Sequence, residues 1–330
     1  MEEELEKLNG QIATLNQEGR YREVEPLLQR ALEVAREQYG EDDPLYATLL
    51  NDLGALYRAT GEYDRSESAF LKALEIISSV RGEEHPDYAT GINNLAGLYR
   101  LMGDYARAEQ LFLQAWDIYG RTLGEGHFLY ASNLNNLALL YQDMGYYDRA
   151  EELQLQALDI IRRTRGEDDF VYATSLSNLA AIYTAKGELA RAEEALQKAL
   201  ETYGHTVGKE HPLYASALNN LAGLYYARGE YAQAEQRYLE VLDVCARIWG
   251  QEHPNYASAL SSLGLVHEDA GNYQKAEECY AKALDTRRHV VGEEHPDYAS
   301  SLENLAALYE RKGETSRAQE LRAKARGDRP

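Results

Sequence analysis

The chain has 330 residues, of which 44% are apolar and 27% charged, and its formal net charge is −21 at pH 7. Such an acidic chain is a poor partner for nucleic acid or an anionic membrane, because both bind through clustered Lys and Arg. No apolar run approaches the roughly 20 residues of a membrane span, and two widely separated cysteines, Cys245 and Cys279, are typical of free thiols in a reducing cytoplasm.

A Tyr-Ala pair recurs every 42 residues along the chain, without an insertion or deletion. Its tyrosines are Tyr46, Tyr88, Tyr130, Tyr172, Tyr214, Tyr256 and Tyr298. Two glycine series and a leucine series keep the same period. A fixed period of this length is typical of one supersecondary unit stacked on copies of itself. Such a solenoid works through the extended face that its repeats share.

Each copy of the repeat predicts two antiparallel helices. In the second copy, apolar residues recur at helical spacing over 88–99 and again over 108–118, on either side of Gly103. Proline suits the first position of the first helix, and a glycine follows each helix. No stretch alternates as a half-buried strand would. The prediction is an all-α superhelix, a solenoid of about eight antiparallel helix pairs.

In chain order, we expect residues 1–43 to form a degenerate capping pair, because they lack the Tyr-Ala and asparagine motifs. Residues 296–330 should form the last unit and its cap, with Thr315 in place of a tyrosine and a polar final helix. Six 42-residue units lie between them, at residues 44–85, 86–127, 128–169, 170–211, 212–253 and 254–295.

The pattern of large and small residues resembles a known family. In the third copy it is carried by Leu137, Ala138, Tyr141, Gly145, Tyr147, Ala150 and Ala157. With the linking Gly-x-x-His-Pro-x-Tyr-Ala segment (82–89, 250–257 and 292–299) and the Asn-Asn-Leu-Ala that follows, the chain resembles the tetratricopeptide (TPR) repeats of kinesin light chains and related bacterial proteins. The resemblance implies a peptide-binding groove in which asparagines of the first helices hold cargo peptides.

One face of each first helix has an unusual composition. With the tyrosine of each Tyr-Ala pair as position 0, positions 2, 5, 6 and 9 lie opposite the apolar positions. Among these 28 sites only Asp52 and Glu303 are charged, where a chain with 27% charged residues would place about seven or eight. A solvated face has no reason to exclude Lys and Glu, which favour helices more than Ser, Thr and Asn do. The asparagines at positions 5 and 6 are Asn51, Asn93, Asn94, Asn135, Asn136, Asn178, Asn219, Asn220 and Asn304.

Two interpretations of these asparagines stay open at the level of sequence. In the first, they bond to neighbouring helices and the small residues permit tight curvature. In the second, they line a groove, where an Asn carboxamide offers both a donor and an acceptor to a peptide backbone. We adopt the second as the functional hypothesis.

Position 12 of the first helices changes from basic to acidic along the chain. It holds Arg58, Arg100, Gln142, Thr184, Tyr226, Glu268 and Glu310. If these residues line the rim of the groove, a bound segment should place acidic residues beside Arg58 and Arg100. It should place basic or neutral ones towards Glu268 and Glu310. The alternative is that they are ordinary solvated helix ends.

The sequence offers no catalytic, metal or cofactor motif. His85, His127, His211, His253 and His295 hold equivalent places in different copies, roughly 8–10 Å or more apart, which is too far for one metal ion. Asp43 and Asp169 take the same place in two copies, so the position suits a helix cap or a turn better than a metal ligand. The prediction is a non-catalytic adaptor that binds a peptide or protein segment. The alternatives are a scaffold that assembles with itself through its convex face or ends, and the sensor segment of a larger signalling protein.

Overall fold

A computed structural model describes residues 2–17, 20–290 and 292–326. Residues 1 and 18–19 of the predicted first cap, 291, and 327–330 of the predicted last cap lie outside the described residues. Over the described part, the chain folds into sixteen α-helices without a strand, which confirms the all-α class and the eight helix pairs. The chain divides into two compact units, Met1–Gly166 (unit 1) and Glu167–Pro330 (unit 2).

Each unit contains eight helices, arranged as four pairs. In each pair a first helix is followed by an antiparallel second helix. In unit 1 they are α1 (Glu2–Gln17), α2 (Tyr21–Tyr39), α3 (Pro44–Thr60), α4 (Tyr63–Arg81), α5 (Pro86–Leu101), α6 (Tyr105–Thr122), α7 (Phe128–Asp143) and α8 (Tyr147–Arg165). In unit 2 they are α9 (Phe170–Lys186), α10 (Leu189–Thr206), α11 (Pro212–Ala227), α12 (Tyr231–Trp249), α13 (Pro254–Asp269), α14 (Tyr273–Val290), α15 (Pro296–Arg311) and α16 (Thr315–Ala325).

Capping side chains define where the first helices begin. Nδ1 of His85 accepts a hydrogen bond from the backbone N–H of Asp87 at 3.1 Å, and Oδ1 of Asp43 accepts one from that of Leu45 at 2.8 Å. The other five His and Asp residues at this place accept in the same way. Each satisfies a backbone donor that a helix start leaves unpaired. The predicted role of these residues as helix caps is therefore confirmed.

Small residues let the two helices of a pair approach closely. One small residue near the start of each of the second helices from α4 to α16 is fully buried: Ser66, Ala108, Ala150, Ala192, Ala234, Ala276 and Ala318. On the facing helix, a Cβ atom added at Gly54 would lie 2.8 Å from the ring of Phe70, and one added at Gly264 would lie 2.6 Å from the ring of Tyr280. These glycines therefore leave room for an aromatic ring that fills the core.

Tyrosines fill the wider gaps between helices. Among the Tyr-Ala tyrosines, five are buried in the core, whereas Tyr88 and Tyr214 are half-buried. A second tyrosine, at position 11, joins successive pairs. The hydroxyl of Tyr99 donates to Glu67 at 2.6 Å in unit 1, and that of Tyr225 donates to Glu193 at 2.9 Å in unit 2. At this position α13 carries His267 instead.

The stacking of pairs gives each unit an inner face. Successive first helices touch one another, α3 with α5 and α5 with α7 in unit 1, and α9 with α11, α11 with α13 and α13 with α15 in unit 2. Second helices of successive pairs make no such contact within the described residues of either unit. The first helices therefore line the inner face of each unit, and positions 2, 5, 6 and 9 lie on it.

Candidate functional site

An amide ladder runs across the inner face of unit 1. Nδ2 of Asn94 on α5 donates to Oδ1 of Asn51 on α3 at 3.1 Å. One repeat later, Nδ2 of Asn136 on α7 donates to Oδ1 of Asn93 on α5, also at 3.1 Å. The asparagine at position 6 of one helix thus donates to the asparagine at position 5 of the previous one. All four side chains are half-buried, so the ladder fixes their orientation at the surface.

Two further amides, which are not among the predicted site residues, extend this ladder below the surface. Asn133 is fully buried and its Nδ2 donates to Oδ1 of Asn93 at 3.0 Å. Gln154 on α8 is fully buried and its Nε2 donates to Oδ1 of Asn135 at 2.8 Å. The signal in the sequence is that Asn133 stands where the other copies carry small or apolar residues, and Gln154 where most of them carry an aromatic residue or leucine. They hold the surface asparagines from within.

In unit 2 three of the predicted asparagines are arranged differently. The side chains of Asn219, Asn220 and Asn304 make no hydrogen bond with the residues that the structure describes. The residues at position 5 that would accept from Asn220 and Asn304 are Ser177 and Ser261, whose hydroxyls are too short to take the place of Asn51. The hydroxyl of Ser261 donates instead to the carbonyl of Ala257 within its own helix, at 3.1 Å. Asn220 is exposed, whereas Asn178, the other predicted asparagine of unit 2, lies half-buried on α9.

The two predicted arginines of unit 1 differ in their partners. Arg100 forms an ion pair with Asp143 on α7, with Nη1 2.5 Å from Oδ2. Arg58 is half-buried and forms no ion pair with the described residues. Its Nη1 lies 3.0 Å from where a Cβ atom at Gly97 would stand, so the guanidinium packs over α5 at a glycine. Burial, and then the positive charge of Arg100, lower the pKa of Arg58.

The predicted acidic residues of unit 2 are already paired within the unit. Glu268 is buried; its Oε2 accepts from the hydroxyl of Tyr280 at 2.9 Å and its Oε1 lies 3.0 Å from Nε of Arg311. Glu310 pairs with Arg322 on α16. These contacts neutralise most of the negative charge that position 12 brings to unit 2.

Tyr226, which also stands at position 12, has an internal partner too. Its hydroxyl donates to Asp269 Oδ2 at 2.5 Å, and burial together with this carboxylate raises the pKa of Tyr226 to about 12. Arg311 donates to Oδ1 of the same carboxylate at 2.8 Å. The hydrogen bond from Tyr226 and the contact with Arg311 lower the pKa of Asp269. Tyr226 therefore joins α11 to α13.

These features agree with what the chain resembles among known proteins. The tetratricopeptide repeat family matches residues 3–73, 48–121, 129–204, 173–247, 213–288 and 255–326. The chain belongs to this family. Tetratricopeptide repeats are in general non-catalytic modules for protein–protein interaction. No curated protein sequence matches the chain significantly. None of the described helices combines the length and apolar composition that crossing a membrane requires.

Solved structures place the chain near kinesin light chain repeats. It is 29% identical to BtubC (BKLC) from P. vanneervenii, with a TM-score of 0.59 over 69% of this chain and 90% of that one. A kinesin light chain protein of Podosopora anserina with nearly identical TPR-like repeats is 26% identical, with a TM-score of 0.55 over 62% of this chain and 98% of that one. The STAND protein PH0952 from Pyrococcus horikoshii, which has a tetratricopeptide repeat sensor, is 18% identical, with a TM-score of 0.66 over 95% of this chain and 46% of that one. That last likeness concerns the fold alone.

Proposed function

We propose that the inner faces of the two units bind an extended peptide or protein segment, and that the chain is a non-catalytic adaptor. The observation that carries this proposal is the amide ladder of unit 1. Each rung uses one N–H of Asn94 or Asn136 and the carbonyl oxygen of Asn51 or Asn93. The carbonyl oxygen and the second N–H of Asn94 and Asn136 make no hydrogen bond with the described residues. A peptide backbone needs one donor and one acceptor of this kind at each contact.

Orientation of these carboxamides favours binding. A side chain that is already held in place loses less conformational freedom when a ligand binds than one that rotates freely. The rungs join successive first helices, so the available groups recur at the spacing of the helices across the inner face. Both interpretations of the asparagines then describe one arrangement: bonding between helices prepares the same side chains for a ligand.

Arg58 supplies the charged contact in this proposal. Its guanidinium is half-buried without an ion-pair partner among the described residues, whereas Arg100 already pairs with Asp143. A carboxylate of the bound segment at Arg58 would form a charge-assisted hydrogen bond in a partly desolvated site. Glu268 and Glu310 remain predicted contacts for basic or neutral residues, but their internal pairing makes them weaker candidates.

The test begins with a peptide selected from a random display library against the whole chain. Its affinity is then measured by fluorescence anisotropy for the native chain and for the double variant Asn94→Ala, Asn136→Ala. Each lost hydrogen bond should weaken binding by about 0.5–1.5 kcal/mol, or roughly two- to tenfold. The matched control is Gln114→Ala with Gln156→Ala, which removes two exposed amides from second helices.

The control decides the outcome. We expect the control variant to bind the peptide with the same affinity as the native chain. Equal affinity for all three proteins would show that the inner asparagines do not contact the ligand. Loss of the fold in the Asn double variant, seen by circular dichroism, would assign them to structure alone. The quadruple variant that adds Asn178→Ala and Asn220→Ala then extends the comparison to unit 2.

A second candidate function, self-assembly, is favoured by one specific feature of unit 1. Three leucines at the same place in successive second helices are exposed: Leu71 by 48%, Leu113 by 39% and Leu155 by 40%. An apolar row on the outer side of a unit is suited to contact with another copy. Light scattering over a range of concentrations tests it. A constant monomeric mass would reject self-assembly in favour of the adaptor.

A further inference from the structure

One buried position near the end of the second helices changes character along the chain. It holds Ile77, Tyr119, Ile161, Tyr203, Cys245 and Arg287, all of which are buried. The hydroxyls of Tyr119 and Tyr203 reach position 2 of the paired first helix, where they bond Thr90 at 2.8 Å and Thr174 at 2.9 Å. Arg287 on α14 therefore places a positive charge where the other copies place an apolar or neutral side chain.

The guanidinium of Arg287 is held by neutral groups. Its Nη1 donates to Oγ of Ser301 at 2.6 Å, and its Nη2 donates to Oγ of Ser258 at 3.2 Å. Its Nε–H is buried without an acceptor among the described residues. The carboxylate of Asp297 attracts the guanidinium but forms no ion pair with it, and burial lowers the pKa of Arg287. A buried charge without a paired counter-charge is costly for a protein to keep.

Ser258 connects this charge to the inner face of unit 2. Although Arg287 is only 9% exposed, Ser258 occupies position 2 of α13 and is exposed. The corresponding Thr90 and Thr174 donate their own hydroxyl protons to the carbonyl oxygen four residues earlier, at 3.0 and 2.9 Å. Ser258 accepts from Arg287, and its proton has no acceptor among the described residues. A hydroxyl polarised by a cation behind it is a strong donor to an anion in front of it.

We propose that Ser258 and Arg287 form a carboxylate-binding subsite on the inner face of unit 2. The Ser258 hydroxyl donates directly to the carboxylate, and the guanidinium behind it supplies the compensating charge. The occupant is an acidic side chain of the segment bound by the adaptor, so the identity of the occupant rests on the proposed function. The subsite itself needs only a carboxylate, and it is therefore testable without the peptide.

The probe is acetate, with chloride at equal ionic strength as its reference. The melting temperature of the whole chain is measured at increasing acetate concentrations for the native protein and for Arg287→Tyr. This substitution introduces the residue type that another copy carries at the same place, as Tyr203. Ser258→Ala removes the direct donor, and Arg288→Gln removes the same charge from an exposed neighbour that pairs with Asp285. Because the chain has a net charge of −21, general attraction of anions to its surface does not favour acetate.

The native protein and Arg288→Gln should be stabilised by acetate in a saturable manner. Arg287→Tyr and Ser258→Ala should bind acetate about tenfold more weakly or not at all, as expected for loss of a hydrogen bond within a charged site. In chloride, Arg287→Tyr should melt above the native protein because it removes a buried unpaired charge. Equal stabilisation by acetate in all four proteins would overturn the proposed subsite. So would a loss of stabilisation in Arg288→Gln that is as large as the loss in Arg287→Tyr.

The peptide experiment separates this subsite from the proposed function. If acetate stabilises the native chain but the Asn94 and Asn136 variants bind the selected peptide normally, the subsite stands and the proposed groove fails. If the asparagine variants lose binding but acetate has no specific effect, the groove stands and the subsite fails.

Discussion

The two units share one helical repeat, yet their inner faces differ. In unit 1 the pairs Asn51–Asn94 and Asn93–Asn136 bond across successive first helices, and Arg58 has no ionic partner among the described residues. In unit 2 Asn220 faces Ser177 without bonding it, and Glu268 and Glu310 are paired within the unit. The same fold thus holds the amides of Asn94 and Asn136 by rungs, whereas Asn219, Asn220 and Asn304 form no rung with the described residues.

The residue at position 5 affects how the asparagine at position 6 of the next first helix is held. An asparagine at position 5 completes a rung where the next first helix carries an asparagine at position 6, as Asn51 and Asn93 do, whereas Ser177 and Ser261 do not. Packing below the surface is unaffected, since the small contact residues are fully buried in both units. The polar side chains of the inner face therefore vary independently of the framework.

The largest expected effect tests whether the frameworks really match. Gly54→Ala in unit 1 and Gly264→Ala in unit 2 each drive a Cβ atom into an aromatic ring, so both should destabilise the protein by about 1–3 kcal/mol. Gly223→Ala is the matched control, because its Cβ atom would lie 3.6 Å from the hydroxyl of Tyr238, and it should be neutral or stabilising. Urea denaturation measures all three. A large loss of stability in one unit only would show that the frameworks of the two units differ.

A smaller effect concerns pH and is specific to unit 2. His267 is buried at position 11, with Nε2 3.8 Å from Glu235, and burial lowers its pKa. The unfolded chain binds a proton there near pH 6.5, whereas the folded chain does so only at lower pH. The stability contributed by neutral His267 is therefore complete above about pH 6.5 and is lost as pH falls through the folded pKa.

The matched variant for this prediction is His267→Tyr, which restores the tyrosine that position 11 carries in the other copies. Its unfolding free energy should fall less between pH 7 and 5 than that of the native chain, as measured by urea denaturation at each pH. The N-capping histidines are unchanged in the variant, so they contribute equally to both proteins. Identical pH profiles would show that His267 is not the source of the difference.

A double-mutant cycle measures the rungs themselves. Asn51→Ala and Asn94→Ala in unit 1 should show a coupling free energy of about 0.5–1.5 kcal/mol, the value of one hydrogen bond. The same cycle on Ser177 and Asn220 in unit 2 should give a coupling near zero. Ser177→Asn should then create coupling with Asn220. Equal coupling in the two units would remove the distinction that we draw between them.

The smallest effect concerns Arg58, which forms no ion pair with the described residues. Arg58→Glu should slow association with the selected peptide at low salt more than Arg100→Glu does, because Arg100 is already neutralised by Asp143. The difference should shrink as ionic strength rises, since screening acts over about 10 Å at 0.1 M salt. Stopped-flow fluorescence measures the rates. Equal rates for both variants at low salt would place Arg58 outside the binding surface.

Much of the architecture could be predicted from the sequence, because a uniform 42-residue period fixes where helices begin, turn and pack. Tyr88 and Tyr214 show its limit, since they keep the motif but are only half-buried. The face that carries the asparagines also followed from helical geometry. Their pairing could not be predicted, because it depends on whether two side chains in successive copies meet across a helix contact.

The same limit applies to charge. Position 12 predicts an acidic rim at Glu268, but Tyr280 and Arg311 from two other helices enclose that carboxylate. Arg287 lies at a place where the repeat otherwise buries neutral side chains, so nothing in its local sequence indicates contact with Ser258. Partners that come from different copies are set by packing, and the pattern within one copy does not encode them.

The most direct test of the central claim is to follow the side-chain amide signals of asparagine and glutamine by NMR during addition of the selected peptide. The account predicts that the signals of Asn94 and Asn136 shift and saturate with the affinity measured by anisotropy. Those of Gln114 and Gln156 on the second helices should stay in place. If the protein is saturated with peptide and neither asparagine signal shifts, or only the glutamine signals shift, binding at the inner face is contradicted.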